Sequence, residues 1–179
     1  MKDAQVLNST PKFQGRVIKV GVDEVLLPNG SRAALEVVRH PGGAAAVALD
    51  DHGRVCLLRQ YRYVAHGWVW ELPAGKLEPA EPPLRTAQRE LVEEAGLEAR
   101  HWTSLGTSLS SPGVFSEVIH LFLATGLSAA TAAPEANEVL EVHWVSFEEA
   151  CERALTGDIT DSKTVMGLLR AQHARKTVT

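Results

Sequence analysis

Cysteine is scarce in this chain, with only two in 179 residues. Cys56 sits in a strand-like run and Cys151 in a helix-like run, and their spacing suits neither a metal site nor a redox pair, so both read as structural thiols. His40, His66, His101, His120 and His143 likewise show no mutual spacing for zinc. Positive charge is also short: 18 Lys and Arg face 22 Asp and Glu, a formal net charge of -4. No basic stripe is left for nucleic acid, which is excluded as a partner. Long apolar runs are missing too. A stretch such as Gly42 to Leu49 is too short to cross a bilayer, and the first residues lack the hydrophobic core of a signal peptide. The expectation is a cytoplasmic protein, away from membranes, that acts on a small molecule.

What the chain does have is ordinary core material, 45% hydrophobic with 22% charged residues, enough for one domain. Residues 1–12, with Asn8-Ser9-Thr10-Pro11, show little periodicity and are expected to form a flexible N-terminus. Residues 13–40 read as a projecting antiparallel β-hairpin, with strands at Gly15–Val20, Glu24–Leu27 and Arg32–Arg39 around a Pro28-Asn29-Gly30-Ser31 turn. Ala44–Leu49 and Arg54–Gln60 predict a second hairpin around Asp50-Asp51-His52-Gly53, followed by a short strand over Trp68–Leu72. Further strands are expected at Trp102–Ser108, Val118–Thr125 and Val139–Val145. Ser146 with Glu149 forms a capping box for a helix ending near Gly157, and Asp161 can cap a last helix through about Ala174. The main domain is expected over residues 41–175, with a tail at 176–179. The fold class is α/β, a mixed central sheet between helices.

The most informative segment is Gly75–Leu97, GKLEPAEPPLRTAQRELVEEAGL. Pro82 and Pro83 suit the first turn of a helix, where missing N–H groups have no intrahelical partner, and Gly96 suits its left-handed cap. At helical pitch Glu90, Glu93 and Glu94 fall within a sector of about 100°, beside an apolar stripe of Leu84, Ala87, Leu91 and Ala95. Like charges at i, i+3 and i+4 repel, and more so when desolvated, unless a hard divalent ion neutralises them. The three glutamates therefore read as ligands for Mg²⁺, with Mn²⁺ a possible substitute.

The same segment resembles the Nudix box, G-x5-E-x7-R-E-U-x-E-E-x-G-U with U aliphatic, at Gly75, Glu81, Arg89, Glu90, Leu91, Glu93, Glu94, Gly96 and Leu97. The resemblance implies a Nudix αβα sandwich carrying an N-terminal β-hairpin extension, and a Mg²⁺-dependent hydrolase of nucleoside diphosphates linked to another group. It implies Glu90 and Glu94 as direct metal ligands, the Ala74 carbonyl as a further ligand, and Glu93 as a ligand or a polariser of bound water. Arg89 would then fix the helix and loop, and Glu81 would brace the loop or support the metal from behind. Glu71-Leu72-Pro73-Ala74-Gly75, Arg59-Gln60-Tyr61-Arg62, and Pro112 placed 16 residues beyond Gly96 are similar to the ADP-ribose pyrophosphatase subgroup. ADP-ribose cleaved to AMP and ribose 5-phosphate is the implied reaction. Another substrate such as a GDP- or UDP-hexose is the alternative, and a non-catalytic nucleotide-sensing domain a third reading, against which the intact glutamates argue.

On that resemblance Arg62 is expected to hold a phosphate or terminal ribose through its planar donor fork, Arg59 to bind substrate in the same way or to face a structural carboxylate, and Glu117, in the Ser110–Glu117 loop, to contact a ribose hydroxyl or a metal. The general base is expected in the loop over residues 132–138, with Glu138 the best match and Glu135 second. Phe13, Tyr61, Trp68 and Trp70 are candidate platforms for adenine, although Trp68 and Trp70 share one strand face and read first as core. The exposed edges of the hairpin, together with the resemblance, lead to the expectation of a homodimer.

Overall fold

The computed structural model describes residues 3–176; the first two residues of the expected flexible N-terminus and residues 177–179 of the expected tail lie outside them. The chain divides into two compact units. One is built on the residues up to Gly42 together with Leu109–Val118, the other on Gly43–Ser108 and the residues from Ile119 onward.

The smaller unit holds a three-stranded antiparallel sheet in the order β1 (Gln5–Gln14), β2 (Lys19–Leu26), β3 (Arg32–Arg39). Residues 5–12 are thus a strand, which corrects the expectation of a flexible terminus there. Pro11, which argued against regular structure, sits on an edge strand beside a register shift between Pro11 and Phe13, where a missing N–H is tolerated. The ladder to β2, unreadable from a polar strand with no buried face, supplies the order. Along β2, Gly21, Asp23 and Val25 turn to one buried face. Asp23 there accepts from Ser9 Oγ at 2.6 Å and pairs with Arg39. The Ser110–Glu117 loop joins this unit, because Val38 N–H donates to Val114 O at 2.8 Å and Ser116 N–H to Val38 O at 2.9 Å.

The larger unit has two sheets. The mixed one runs β7 (Ala74–Lys76), β4 (Gly43–Ala48), β9 (Val118–Ala129), β8 (Leu97–Leu109), with β4 parallel to β9 and antiparallel to β7. The other runs β10 (Leu140–Ser146), β5 (Arg54–Arg62), β6 (Gly67–Glu71), antiparallel throughout. The expected hairpin of Ala44–Leu49 with Arg54–Gln60 reduces to one bridge, Leu49 to Val55, and its two strands enter different sheets. The turn itself forms, but β4 is buried at every position, and its hydrogen bonds are taken by β7 and β9 instead.

Helices cover both sides. Ala46, Ala48, Cys56 and Ala124 meet Leu91 of α1 (Pro83–Ala95), while Val47, Val55, Leu57, Leu72 and Leu121 meet Phe147 of α2 (Phe147–Thr156) and Leu168 of α3 (Ser162–Lys176). Full burial of Leu91 contributes about 2 kcal/mol toward holding α1 in place. Small side chains in β4 let the helices approach from either side. Ser146 Oγ accepts from Glu149 N–H at 3.1 Å, and α2 ends at the left-handed Gly157. Among the described residues no helix is long and apolar enough to cross a membrane.

Candidate active site

Helix α1 begins at Pro83 and stops where Gly96, at φ 65°, donates its N–H back to Leu91 and Val92 carbonyls. Its buried side contains Glu90 and Glu94, 8% and 2% exposed, alongside Thr86, Ala87 and Leu91. The face inferred to hold metal is therefore partly turned inward, against the turn that joins β6 to β7. Glu94 Oε2 accepts from Ala74 N–H at 2.8 Å. Gly75 lies so close to Glu90 that a Cβ there would overlap its carboxylate. Only glycine leaves that cradle open.

Arg89 is the hub of the ionic contacts. Its Nη1 donates to Glu90 Oε1 at 2.7 Å and to Glu93 Oε2 at 2.9 Å, and its Nε and Nη2 reach the two oxygens of Glu81 at 3.1 Å each. Thr86 Oγ1 adds a donor to Glu81 at 2.7 Å. The Arg89 hydrogen bonds, more than any other influence, push the Glu81 carboxyl down to about 2. Glu81 thus ties its loop to α1 through Arg89 and Thr86.

Glu94 is different. Burial pushes its carboxyl up to about 8, the Ala74 N–H offsets part of that, and the charges of Glu90 and Glu138 add to it. Glu90 is raised too, first by burial, then against the pull of Arg89 with Glu93 and Glu138 adding. Glu138 therefore lies within electrostatic reach of both. Its loop is tied at each end: Ala133 N–H donates to Glu93 O at 3.0 Å, and Glu138 Oε2 accepts from Glu135 N–H at 2.8 Å.

This donor set fits a hard divalent ion. Buried carboxylates with mutually unfavourable charge, a glycine cradle against one of them, and an Arg89 that reaches Glu90 and Glu93 but not Glu94 leave Glu94 without an ion-pair partner, so that a bound divalent ion would take the place of its proton. Among the described residues no three acidic, histidine or cysteine side chains form a ready-made cage. Mg²⁺ itself requires only one or two carboxylates and completes its shell with water and substrate oxygens.

The remaining expected site residues are dispersed. Arg62 grips Glu71 with Nε to Oε1 at 2.7 Å and Nη2 to Oε2 at 2.8 Å, and its charge is felt at Glu94. Glu71, 3% exposed, also accepts from Lys163 Nζ at 2.5 Å. Burial opposes its charge, but Arg62 and Lys163 together hold it below the usual carboxylate range. Arg59 is on the opposite face of β5 from Arg62 by strand alternation, beside Glu141 at 3.9 Å and over the Trp68 ring. It does not join the carboxylates within this unit. Tyr61, Trp68 and Trp70 share that opposite face, with Trp70 packed under Arg153 and against His143. Glu117 belongs to the smaller unit, where it lies 3.2 Å from His40 Nδ1. Phe13 is exposed in the same unit. Sequence reasoning missed the Lys163–Glu71 pair, whose members are 92 residues apart and share no motif.

Comparison with known proteins identifies the family. A NUDIX domain model matches residues 39–167. The chain is 40% identical over 168 residues to a methanol dehydrogenase activator of Bacillus methanolicus, covering 92% of this chain and 91% of the relative. It is 38% identical over 158 residues to an ADP-ribose pyrophosphatase of Bacillus subtilis, covering 87% and 85%. A GDP-mannose pyrophosphatase of Cronobacter sakazakii is 34% identical over 76% of this chain and 80% of its own length. In three dimensions the chain superposes on the crystal structure of an ADP compounds hydrolase with a TM-score of 0.84, over 99% of this chain and 97% of the other, at 21% identity. With the box complete from Gly75 to Leu97 and the αβα sandwich around it, the chain belongs to the Nudix family of hydrolases.

Proposed function

We propose that the protein hydrolyses the diphosphate bond of ADP-ribose, or of a close nucleoside diphosphate sugar, to AMP and ribose 5-phosphate, using Mg²⁺ in the cytoplasm. The observation that carries the reading is Glu94, buried and short of a cation beside Glu90 and Glu138. The similarity to an ADP-ribose pyrophosphatase over most of both chains supports the substrate. A GDP- or UDP-hexose is the alternative, and the GDP-mannose pyrophosphatase relative supports keeping it.

In this reading Glu90 and Glu94 hold the metal together with the Ala74 carbonyl, and Glu93, kept in place by Arg89, is a further ligand or polarises a bound water. When bound, divalent ions neutralise the diphosphate and lower the pKa of the attacking water. Arg62, preoriented by Glu71, presents its outer edge to a phosphate or terminal ribose. Glu138 takes the proton of the water, and it is preferred to Glu135 because its charge is the one that acts on Glu90 and Glu94. Arg59, expected to bind substrate or to face a structural carboxylate, lies beside Glu141 on the other face of β5 and is given no part at the metal.

Incubation with ADP-ribose and Mg²⁺ should release AMP and ribose 5-phosphate, and each should vanish when the ion is chelated. A panel in which GDP- or UDP-hexoses are cleaved with much higher kcat/KM would transfer the assignment to the alternative.

A homodimer accompanies this reading. All ten positions of β1, an edge strand, are exposed, among them Val6, Leu7 and Phe13. An open, fully exposed edge of that length, with apolar side chains set among polar ones, invites pairing with a second copy. Light scattering should return the mass of two chains; a one-chain mass would remove this element.

A further inference from the structure

We propose that Thr164, oriented by Asp161, is a positioning residue for the metal-binding turn: the first turn of α3 sets where the Leu72–Gly75 backbone stands relative to Glu90 and Glu94. This rests on the Nudix reading of the site and adds residues from an element outside the box.

Thr164 is completely buried. Its hydroxyl donates to Asp161 Oδ2 at 2.6 Å, which leaves its lone pairs to accept, and Leu72 N–H is the donor they meet at 2.8 Å. Asp161 Oδ2 also accepts from Thr164 N–H at 3.0 Å, so the carboxylate caps the helix and aims the hydroxyl at once. Leu72 is further constrained by shape. A Cβ on Gly167, one turn along α3, would stand 2.7 Å from Leu72 Cδ1 and 3.2 Å from Val47 Cγ2, so the helix backbone lies flush against this side chain.

The next residues are held from two other directions. Pro73 O accepts from Ala46 N–H of β4 at 2.9 Å, and Ala74 N–H donates to Glu94 at 2.8 Å. Three successive residues are thus pinned by α3, β4 and α1 in turn. Of the three anchors only the one from α3 uses a side-chain hydroxyl as its acceptor. A buried amide left without an acceptor costs the full desolvation of that group, so the turn would shift to find one. Any shift is passed to Ala74, and from there to the carboxylate it touches. Asp161 also lies 3.1 Å from Lys163, whose other partner is Glu71, which ties the same helix start to Arg62.

The test compares Thr164→Val, which keeps the shape and removes the hydroxyl, with Thr164→Ser, which keeps the hydroxyl, and with Asp161→Asn. Mn²⁺ binding is measured by electron paramagnetic resonance without nucleotide, and exchange of the Leu72 amide by hydrogen–deuterium exchange. Thr164→Val should weaken Mn²⁺ binding by roughly tenfold, the size of effect seen when a ligand's support is removed. It should also speed Leu72 exchange and lower kcat more than it raises KM, while Thr164→Ser stays within about twofold of wild type on the same scale. Unchanged Mn²⁺ affinity in a folded Thr164→Val protein overturns the proposal. If that variant does not fold, Asp161→Asn decides: weaker Mn²⁺ binding with native circular dichroism supports it, and wild-type affinity overturns it. Glu94→Gln runs alongside. If wild type itself binds no Mn²⁺, or Glu94→Gln binds as well as wild type, the metal assignment fails, and the proposal, which depends on it, falls with it.

Discussion

Glutamine at position 94 should reduce turnover by more than about a hundredfold, beyond the upper end of what is lost when only a ligand's supporting partner is removed, and should at the same time make the metal-free protein more stable at alkaline pH. The first effect follows from the role proposed for Glu94. The second follows from where it sits. Burial, reinforced by Glu90 and Glu138, raises its carboxyl from 4.5 to about 8. Between those two values the native state holds more protons than the unfolded chain. The unfolding free energy therefore falls as pH rises through that window, by at most about 1.4 kcal/mol per pH unit. Glutamine keeps an oxygen to accept from Ala74 N–H and carries no charge, so its loss over the same window should be smaller. Melting temperatures at pH 5 and pH 8 in a chelator, for wild type and Glu94→Gln, measure the difference. Mg²⁺ should restore part of the wild-type loss at pH 8 and leave the variant unmoved. Parallel pH dependence in the two proteins would show that the buried carboxyl does not carry the strain assigned to it.

Glu138→Gln should lower kcat by about 10²–10⁴-fold, the range for a general base, with KM for ADP-ribose changed by only a few-fold. The loop that carries Glu138 has its backbone fastened to α1 through Glu93 O and is closed on itself between Glu135 and Glu138. Its charge is felt at both Glu90 and Glu94 although it lies over 40 residues beyond them in the chain. Native circular dichroism and wild-type Mn²⁺ binding in the variant separate loss of a base from loss of the fold or of the metal. Glu135→Gln is the control. If it removes turnover while Glu138→Gln behaves as wild type, the base is Glu135.

The helix, its proline start, its glycine stop and its three glutamates were all legible in the Gly75–Leu97 segment, because each depends on neighbours within one or two turns. The capping of α2 by Ser146 was legible for the same reason. β1 was not: its order comes from a partner strand, and a wholly exposed strand carries no periodic signature. The fate of Ala44–Leu49 and Arg54–Gln60 was misread because a correct turn between two strands does not decide which strands they pair with. Arg59 and Arg62 show the limit at the site. They look equivalent in the sequence, yet alternation along β5 and the partners waiting on each face send one toward Glu71 and the other over Trp68.

By itself the sequence determined the chemistry on offer, since a complete box, with three of its glutamates on one helix, sets carboxylates side by side whatever surrounds them. Only the tertiary structure decided which of those carboxylates is buried without a cation, which arginine faces them, and that α3 reaches back to hold the turn in front of them. Charge and burial depend on what the rest of the chain brings close, and contacts spanning 92 residues, as between Thr164 and Leu72 or Lys163 and Glu71, leave no trace in local spacing.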